Sequence, residues 1–139
     1  MLREETPMTQ EQARLLSPLQ LAYIGDTVWD LLIRSRTLWR GLNVTHMHQE
    51  AIRRVNAAAQ HAALRRVEAL LTPEEAAIVH RGRNAHPKHH APKNQDPADY
   101  AAATGLEALT GYLYVTGQEE RLLLLFRRSQ EEDEQPCPQ

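Results

Sequence analysis

Start and stop signals for helices recur along the whole chain, and no segment shows the two-residue alternation of a strand. Thr9 followed by Gln12 reads as a capping box that opens a short helix to about Leu16. Ser17-Pro18 places a cap before a proline at the first helical position, and a long helix is expected from Pro18 to about Trp39, stopped by Gly41. Thr45 is the expected cap of the next helix, with Arg53 and Arg54 in its last turn. Asn56 breaks or recaps the chain, opening a helix from Ala57 to Leu71. Thr72-Pro73-Glu74-Glu75 combines a cap, a proline and two acids at a positive dipole end, and predicts a helix to about Arg83. Two more are expected, from Pro97 or Ala98 to about Thr116, where Gly117 ends it, and from Gln118 to about Arg128. The expected fold is all-α with six or seven helices, and 139 residues suffice for one domain with its own core.

Between these helices, residues 84–97 hold Pro87, Pro92 and Pro97 and no apolar period, a long loop for a small helical domain and of the kind that is functional or disordered. The stretch 80–96 carries Arg81, Arg83, Lys88 and Lys93 against the single acid Asp96. His80, His86, His89 and His90 add charge as pH falls. The formal net charge of −2 hides this, because Glu131, Glu132, Asp133 and Glu134 turn a balance of +2 into −2. The expected division is therefore a helical domain over 1–129 and an acidic, disordered tail over 130–139.

Other classes find no support. The lone Cys137 allows no internal disulfide, no zinc-ligand spacing or phosphate-binding glycine loop is present, and His86, His89 and His90 lack the spacing of a metal cluster. No apolar run is long enough for a bilayer, and MLREETPMTQ is too acidic and polar for a secretory signal, so a cytoplasmic protein without membrane contact is expected.

Two carboxylates stand apart from the other acids. Asp26 lies in LQLAYIGDTVWDLLI, on a helix with Leu21, Ile24, Val28, Leu31, Leu32 and Ile33 around it. Glu107 lies in AAATGLEALTGYLY, beside Leu106, Leu109 and Leu113. Burying an ionised acid on such helices costs several kcal/mol unless a partner compensates it, roughly as for any buried ion. An arginine partner or a narrow wet face is the plain reading. Gly25, Gly105 and Gly111 favour another, since mid-helix glycine costs about 1 kcal/mol against alanine and permits close helix approach. Two closely packed helices, each presenting one carboxylate, suit a hard divalent cation such as Mg²⁺, which takes one or two carboxylates and fills its other positions with water or phosphate oxygen.

These segments resemble a known family. Tyr23-Ile24-Gly25-Asp26 is similar to the signature helix of ribonuclease III, and Glu107-Ala108-Leu109 with Gly111-Tyr112-Leu113-Tyr114 to its second acidic helix. The resemblance is closer to Mini-ribonuclease III, the form without a double-stranded-RNA-binding domain: LAYIGDTVWDL, RGRNA at 81–85, PKN at 92–94 and TGLEALTGYLY occur in its order and spacing, over about residues 15–126. Longer ribonuclease III enzymes have acids where this chain has Leu19, Ala22 and Thr104, a loss that Mini-ribonuclease III shares in kind.

The resemblance implies a homodimeric ribonuclease III catalytic domain that cuts both strands of double-stranded RNA and leaves 5′-phosphate and 3′-hydroxyl ends. Asp26 and Glu107 would be the catalytic, metal-holding pair, with Mg²⁺ as cofactor and Mn²⁺ as a substitute. Asp30 and Thr104 are candidates for contacts one layer outside the metal, although Asp30 reads equally as a solvated or ion-paired acid. Precursor large-subunit (23S) ribosomal RNA is the implied substrate, and a ribosomal protein a candidate partner. Without a further RNA-binding domain, Arg81, Arg83, Asn84, Lys88, Lys93 and Asn94 are the candidate RNA contacts, with Arg53 and Arg54 as weaker ones. Val28, Trp29, Leu32 and Ile33 are the expected dimer face. The alternatives are a catalytically silent RNA- or ribosome-binding module on this fold, favoured by the missing acids, and a helical nucleotide hydrolase, for which the acid clusters at 74–75 and 119–120 stand only at helix starts.

Overall fold

Side-chain caps set where most of the helices begin. The computed structural model describes residues 4–85 and 93–131, and these form seven α-helices and no strand. They are α1 (Gln10–Arg14), α2 (Pro18–Trp39), α3 (Val44–Val55), α4 (Ala57–Val67), α5 (Pro73–Arg83), α6 (Pro97–Val115) and α7 (Glu119–Ser129). Thr9, Ser17 and Thr72 each form the expected reciprocal box; at Ser17 the hydroxyl accepts from the Gln20 amide (3.1 Å) while Gln20 accepts from the Ser17 amide (2.8 Å). Gly41 and Gly117 end α2 and α6 with φ of 74° and 72°, a region that favours glycine.

Three boundaries differ from the sequence reading. Asn43, not Thr45, caps α3 by accepting from the His46 amide (2.9 Å), because the chain leaving Gly41 is already extended at Asn43. Val67 ends α4 and a 3-10 turn follows over Glu68–Leu70, since Leu71 and Thr72 must be extended for Thr72 to cap α5. Gln130 is buried and accepts a hydrogen bond from Arg54, so packed structure extends one residue past Ser129. Residues 132–139, with the rest of the acidic segment and Cys137, lie outside the described residues. Asn56 does two jobs: its Oδ1 accepts from the Ala59 amide (2.8 Å) at the start of α4, and its Nδ2 donates to the Arg53 carbonyl (2.9 Å) at the end of α3.

Helix α6 is the central element. It is apolar nearly all round and buries every residue from Ala102 to Leu113 except Glu107, which is half-buried. α2, α4, α5 and α7 pack around it. Leu21, Ile33, Leu64, Leu109, Leu113 and Tyr112 are fully enclosed, each large apolar side chain worth about 1.5–3 kcal/mol when taken out of water. Trp29 of α2 meets Phe126 of α7 edge to face, with ring centroids 5.2 Å apart.

This packing corrects the expected dimer face. Val28, Trp29 and Ile33 are buried in the chain's own core, and Leu32 packs against that core. The large apolar side chains that α2 leaves in solvent are Leu19, Tyr23, Leu31, Leu38 and, at its last position, Trp39, with Tyr23 83% exposed. No helix among the described residues is long and apolar enough to cross a membrane.

Candidate metal-binding active site

The approach of α2 to α6 is decided by two glycines. A methyl group on Gly25 would overlap the carbonyl oxygen of Glu107, and one on Gly111 would overlap the carbonyl oxygen of Leu21. Each glycine thus faces a backbone carbonyl of the other helix, and the two backbones meet with no side chain between them. Asp26 follows Gly25, and Glu107 is the residue whose carbonyl Gly25 touches. The seam therefore brings the two carboxyl groups together.

Their carboxyl groups lie close enough to perturb one another. Asp26 is exposed and Glu107 half-buried. Burial, and then the negative charge of Asp26, push Glu107 from 4.5 up to about 8. At neutral pH Glu107 accordingly keeps its proton. A divalent cation can take that proton's place. The donor set is two converging hard oxygens with solvent access, which fits Mg²⁺ or Mn²⁺ with water and phosphate completing the coordination. Among the described residues no group of three or more His, Cys, Asp or Glu side chains forms a metal cluster.

The other residues singled out in the sequence fall into two sets. Asp30, one turn from Asp26, accepts from Arg34 Nε (3.0 Å) on the surface of α2. Thr104, one turn before Glu107, is buried and donates to the Tyr100 carbonyl (3.0 Å). Arg81 donates to the carbonyls of Arg14 and Leu16 (3.3 Å each) and so closes the end of α1. Arg83 pairs with Glu68 (2.7 Å), and Asn84 caps α5 beside His80. Lys93 and Asn94 are exposed in the turn that leads into α6. Lys88, His86, His89 and His90 lie outside the described residues.

Several functional placements are not visible in the sequence. Glu75 reads there as an acid at a helix start; it is buried and accepts from Arg121 Nε (2.9 Å) and Nη2 (2.8 Å), a partner 46 positions away. His61 Nδ1 lies 2.7 Å from Asp99, tying α4 to the first turn of α6. The exposed face of α2 follows a step of three and four from Leu19 through Tyr23 to Leu31 and Leu38, but α2 is apolar on too many sides for that step to stand out.

A helical domain with two carboxylates at a glycine-lined seam defines a class, and comparison with known proteins agrees. The ribonuclease III domain model matches residues 19–118, and the chain belongs to the ribonuclease III family. Its similarity to particular members is to Mini-ribonuclease 3: 52% identity over 108 residues to that of Symbiobacterium thermophilum, covering 77% of this chain and 82% of that one. The Mini-ribonuclease 3 of a Thermoanaerobacter species is 43% identical over 116 residues, covering 83% of this chain and 81% of that one. A crystal structure of a protein from Fusobacterium nucleatum superposes with a TM-score of 0.78 at 28% identity, over 86% of this chain and 96% of that one. The chain is a ribonuclease, and its class acts on RNA.

Proposed function

We propose that this ribonuclease is a homodimeric, Mg²⁺-dependent endonuclease that cuts both strands of double-stranded RNA and leaves 5′-phosphate and 3′-hydroxyl ends. Its proposed substrate is precursor 23S ribosomal RNA in the cytoplasm, with a ribosomal protein as a candidate helper. The observation that carries the reading is the Asp26–Glu107 pair: two carboxyl groups brought together where the glycines of α2 and α6 let the backbones meet.

Asp26 and Glu107 would hold the cation, with Mn²⁺ as a substitute. When bound, the cation supplies an activated water for in-line attack and charge stabilisation for the leaving oxygen. Glu107, raised to about 8 without metal, would have to give up its proton to serve as a ligand. Asp26 is exposed, so its carboxylate is open to an arriving phosphodiester. Thr104 bonds back to the Tyr100 carbonyl in the turn of α6 before Glu107, and Asp30 is paired with Arg34. Lys93 and Asn94, with Lys88 outside the described residues, form the RNA contact of the basic segment, while Arg81 and Arg83 brace the helices that carry it.

The exposed face of α2 supports dimer formation. Leu19, Tyr23, Leu31 and Leu38 are too apolar to be left to solvent on one helix, and Asp26 lies within that face. A two-fold contact there sets one carboxylate pair per strand of a duplex, whose backbones are themselves related by a two-fold.

Cleavage of a duplex RNA with and without Mg²⁺, by the wild type and by Asp26→Asn and Glu107→Gln, tests the reading. Cuts on both strands that need Mg²⁺ and vanish in either variant are expected. Duplex binding without cleavage in the wild type would establish the silent binding module instead.

A further inference from the structure

A depression of about 110 Å³ lies where the end of α3, the start of α4 and the residue after α7 meet. Arg53 and Arg54 come from α3, Ala59, Ala62 and Arg66 from α4, and Gln130 from just beyond α7. None of these elements carries Asp26 or Glu107, and none of the six residues belongs to the basic segment at 81–94. Of the described residues that line the depression, three are cationic and none is anionic.

The arginines are held in place from behind. Arg54 is 7% exposed; its Nε donates to Glu50 (2.9 Å) and its Nη1 to Gln130 (2.7 Å). Arg53 donates to the other oxygen of Glu50 (2.7 Å), and Arg66 Nη1 to the Ser129 carbonyl (2.8 Å). Basic residues in a last helical turn ordinarily serve the helix dipole, and that covers Arg53 and Arg54. Arg66 lies likewise in the last turn of α4, and all three arginines line the same depression.

Size and charge select the occupant. Ala59 and Ala62 leave room for a small tetrahedral anion and not for a nucleoside, whose pockets are several times larger. Guanidinium forks match the spacing of tetrahedral oxyanions and bind them with paired, charge-assisted hydrogen bonds. Asn56 bonds both helices and fixes Arg53 relative to Ala59.

We infer that this depression is a binding site for a phosphate-class oxyanion, held by Arg53, Arg54 and Arg66. The anion is an inorganic phosphate or a phosphodiester of bound RNA; only the second source rests on the function proposed above.

Titration of the intact, ¹⁵N-labelled protein with sodium phosphate, against sodium chloride at matched ionic strength, tests it through the arginine Nε–H signals. Saturable shifts at Arg53, Arg54 and Arg66 in phosphate alone are expected. Arg53→Gln and Arg66→Gln should each weaken phosphate binding about tenfold or more, and Arg40→Gln, outside the depression, should not. Arg66→Gln loses the bond to Ser129 and can fail to fold; Arg53, whose side chain is 63% exposed, keeps the test open. Absence of saturable shifts in the wild type, or unchanged binding in Arg53→Gln, overturns the site. The source is read by titrating the same variants with duplex RNA. A weaker complex whose salt slope falls by about one per arginine assigns a phosphodiester, and unchanged RNA affinity assigns free phosphate. Since the phosphate titration uses no RNA, failure of the cleavage assay and failure of this site are distinguishable.

Discussion

The α-carbon of Gly25 lies against the backbone carbonyl of Glu107, with no room for a β-carbon between them. The contact places Asp26 beside Glu107, so a residue without a side chain sets the geometry of the two residues whose side chains matter. Gly25→Ala should force α2 from α6 and cost about 1–3 kcal/mol or more, as overpacking does, together with loss of duplex cleavage. Gly41→Ala is the contrast. Nothing lies within 4 Å of a β-carbon there, but φ is 74°, so about 1 kcal/mol of stability should go while cleavage stays. Urea unfolding and a cleavage assay on both variants check this; full activity in Gly25→Ala would remove the seam's role.

Glu107 makes the metal-free protein pH-sensitive. Its carboxyl is raised from 4.5 to about 8, chiefly by burial and then by Asp26. The folded state therefore binds this proton more tightly than the unfolded state, and stability falls as pH rises from about 4.5 to about 8. Glu107→Gln should melt a few degrees above the wild type at pH 9 in chelator and show little difference near pH 4. Mg²⁺ should raise the wild-type melting temperature at pH 9 and leave that of Glu107→Gln nearly unchanged. Scanning calorimetry at the two pH values reads both effects.

Glu75 has the opposite sign. Burial raises its pKa, but hydrogen bonds from Arg121 and the Thr72 cap outweigh burial and hold it below 4.5. Its contribution is present above the ordinary carboxylate range and lost as pH falls through the folded value. Glu75→Ala leaves Arg121, partly solvated and still bonded to the Leu70 carbonyl, without this carboxylate and should cost about 1–3 kcal/mol, read as a lower urea midpoint at pH 7. The gap between variant and wild type should narrow below pH 4.

Tyr23 tests the dimer. At 83% exposed it adds little to the subunit's own core, so Tyr23→Glu should fold and run as a monomer by sedimentation at micromolar concentration, with cleavage greatly reduced. A wild type that is monomeric and fully active at that concentration refutes the α2 interface.

Lys93 tests the basic segment. Lys93→Ala, in a Glu107→Gln background to prevent cleavage, should weaken duplex RNA binding and flatten log K against log[salt] by about one. Unchanged affinity and slope would show that the segment only connects α5 to α6 and would shift attention to Arg53, Arg54 and Arg66.

Local chemistry by itself determined the helices of this protein. Ser17, Thr72 and Asn56 satisfy amides within three residues of themselves, and Gly41 and Gly117 adopt a backbone angle favoured by their own type, so α2, α5 and the stops of α2 and α6 could be read before any tertiary contact was known. The spacing of Asp26 and Glu107 on two apolar, glycine-bearing helices also marked the pair. Only the tertiary structure decided which way each apolar face turned. On α2, apolar on most sides, periodicity did not separate Trp29, which enters the core, from Tyr23, which leaves it; the difference comes from α6 and α7 lying on one side. The Glu75–Arg121 pair, the bond of Arg54 to Gln130, and the contact of Gly25 with Glu107 likewise join helices far apart in the chain. Each depends on how backbones pack, and a partner tens of residues away leaves no mark on the local pattern.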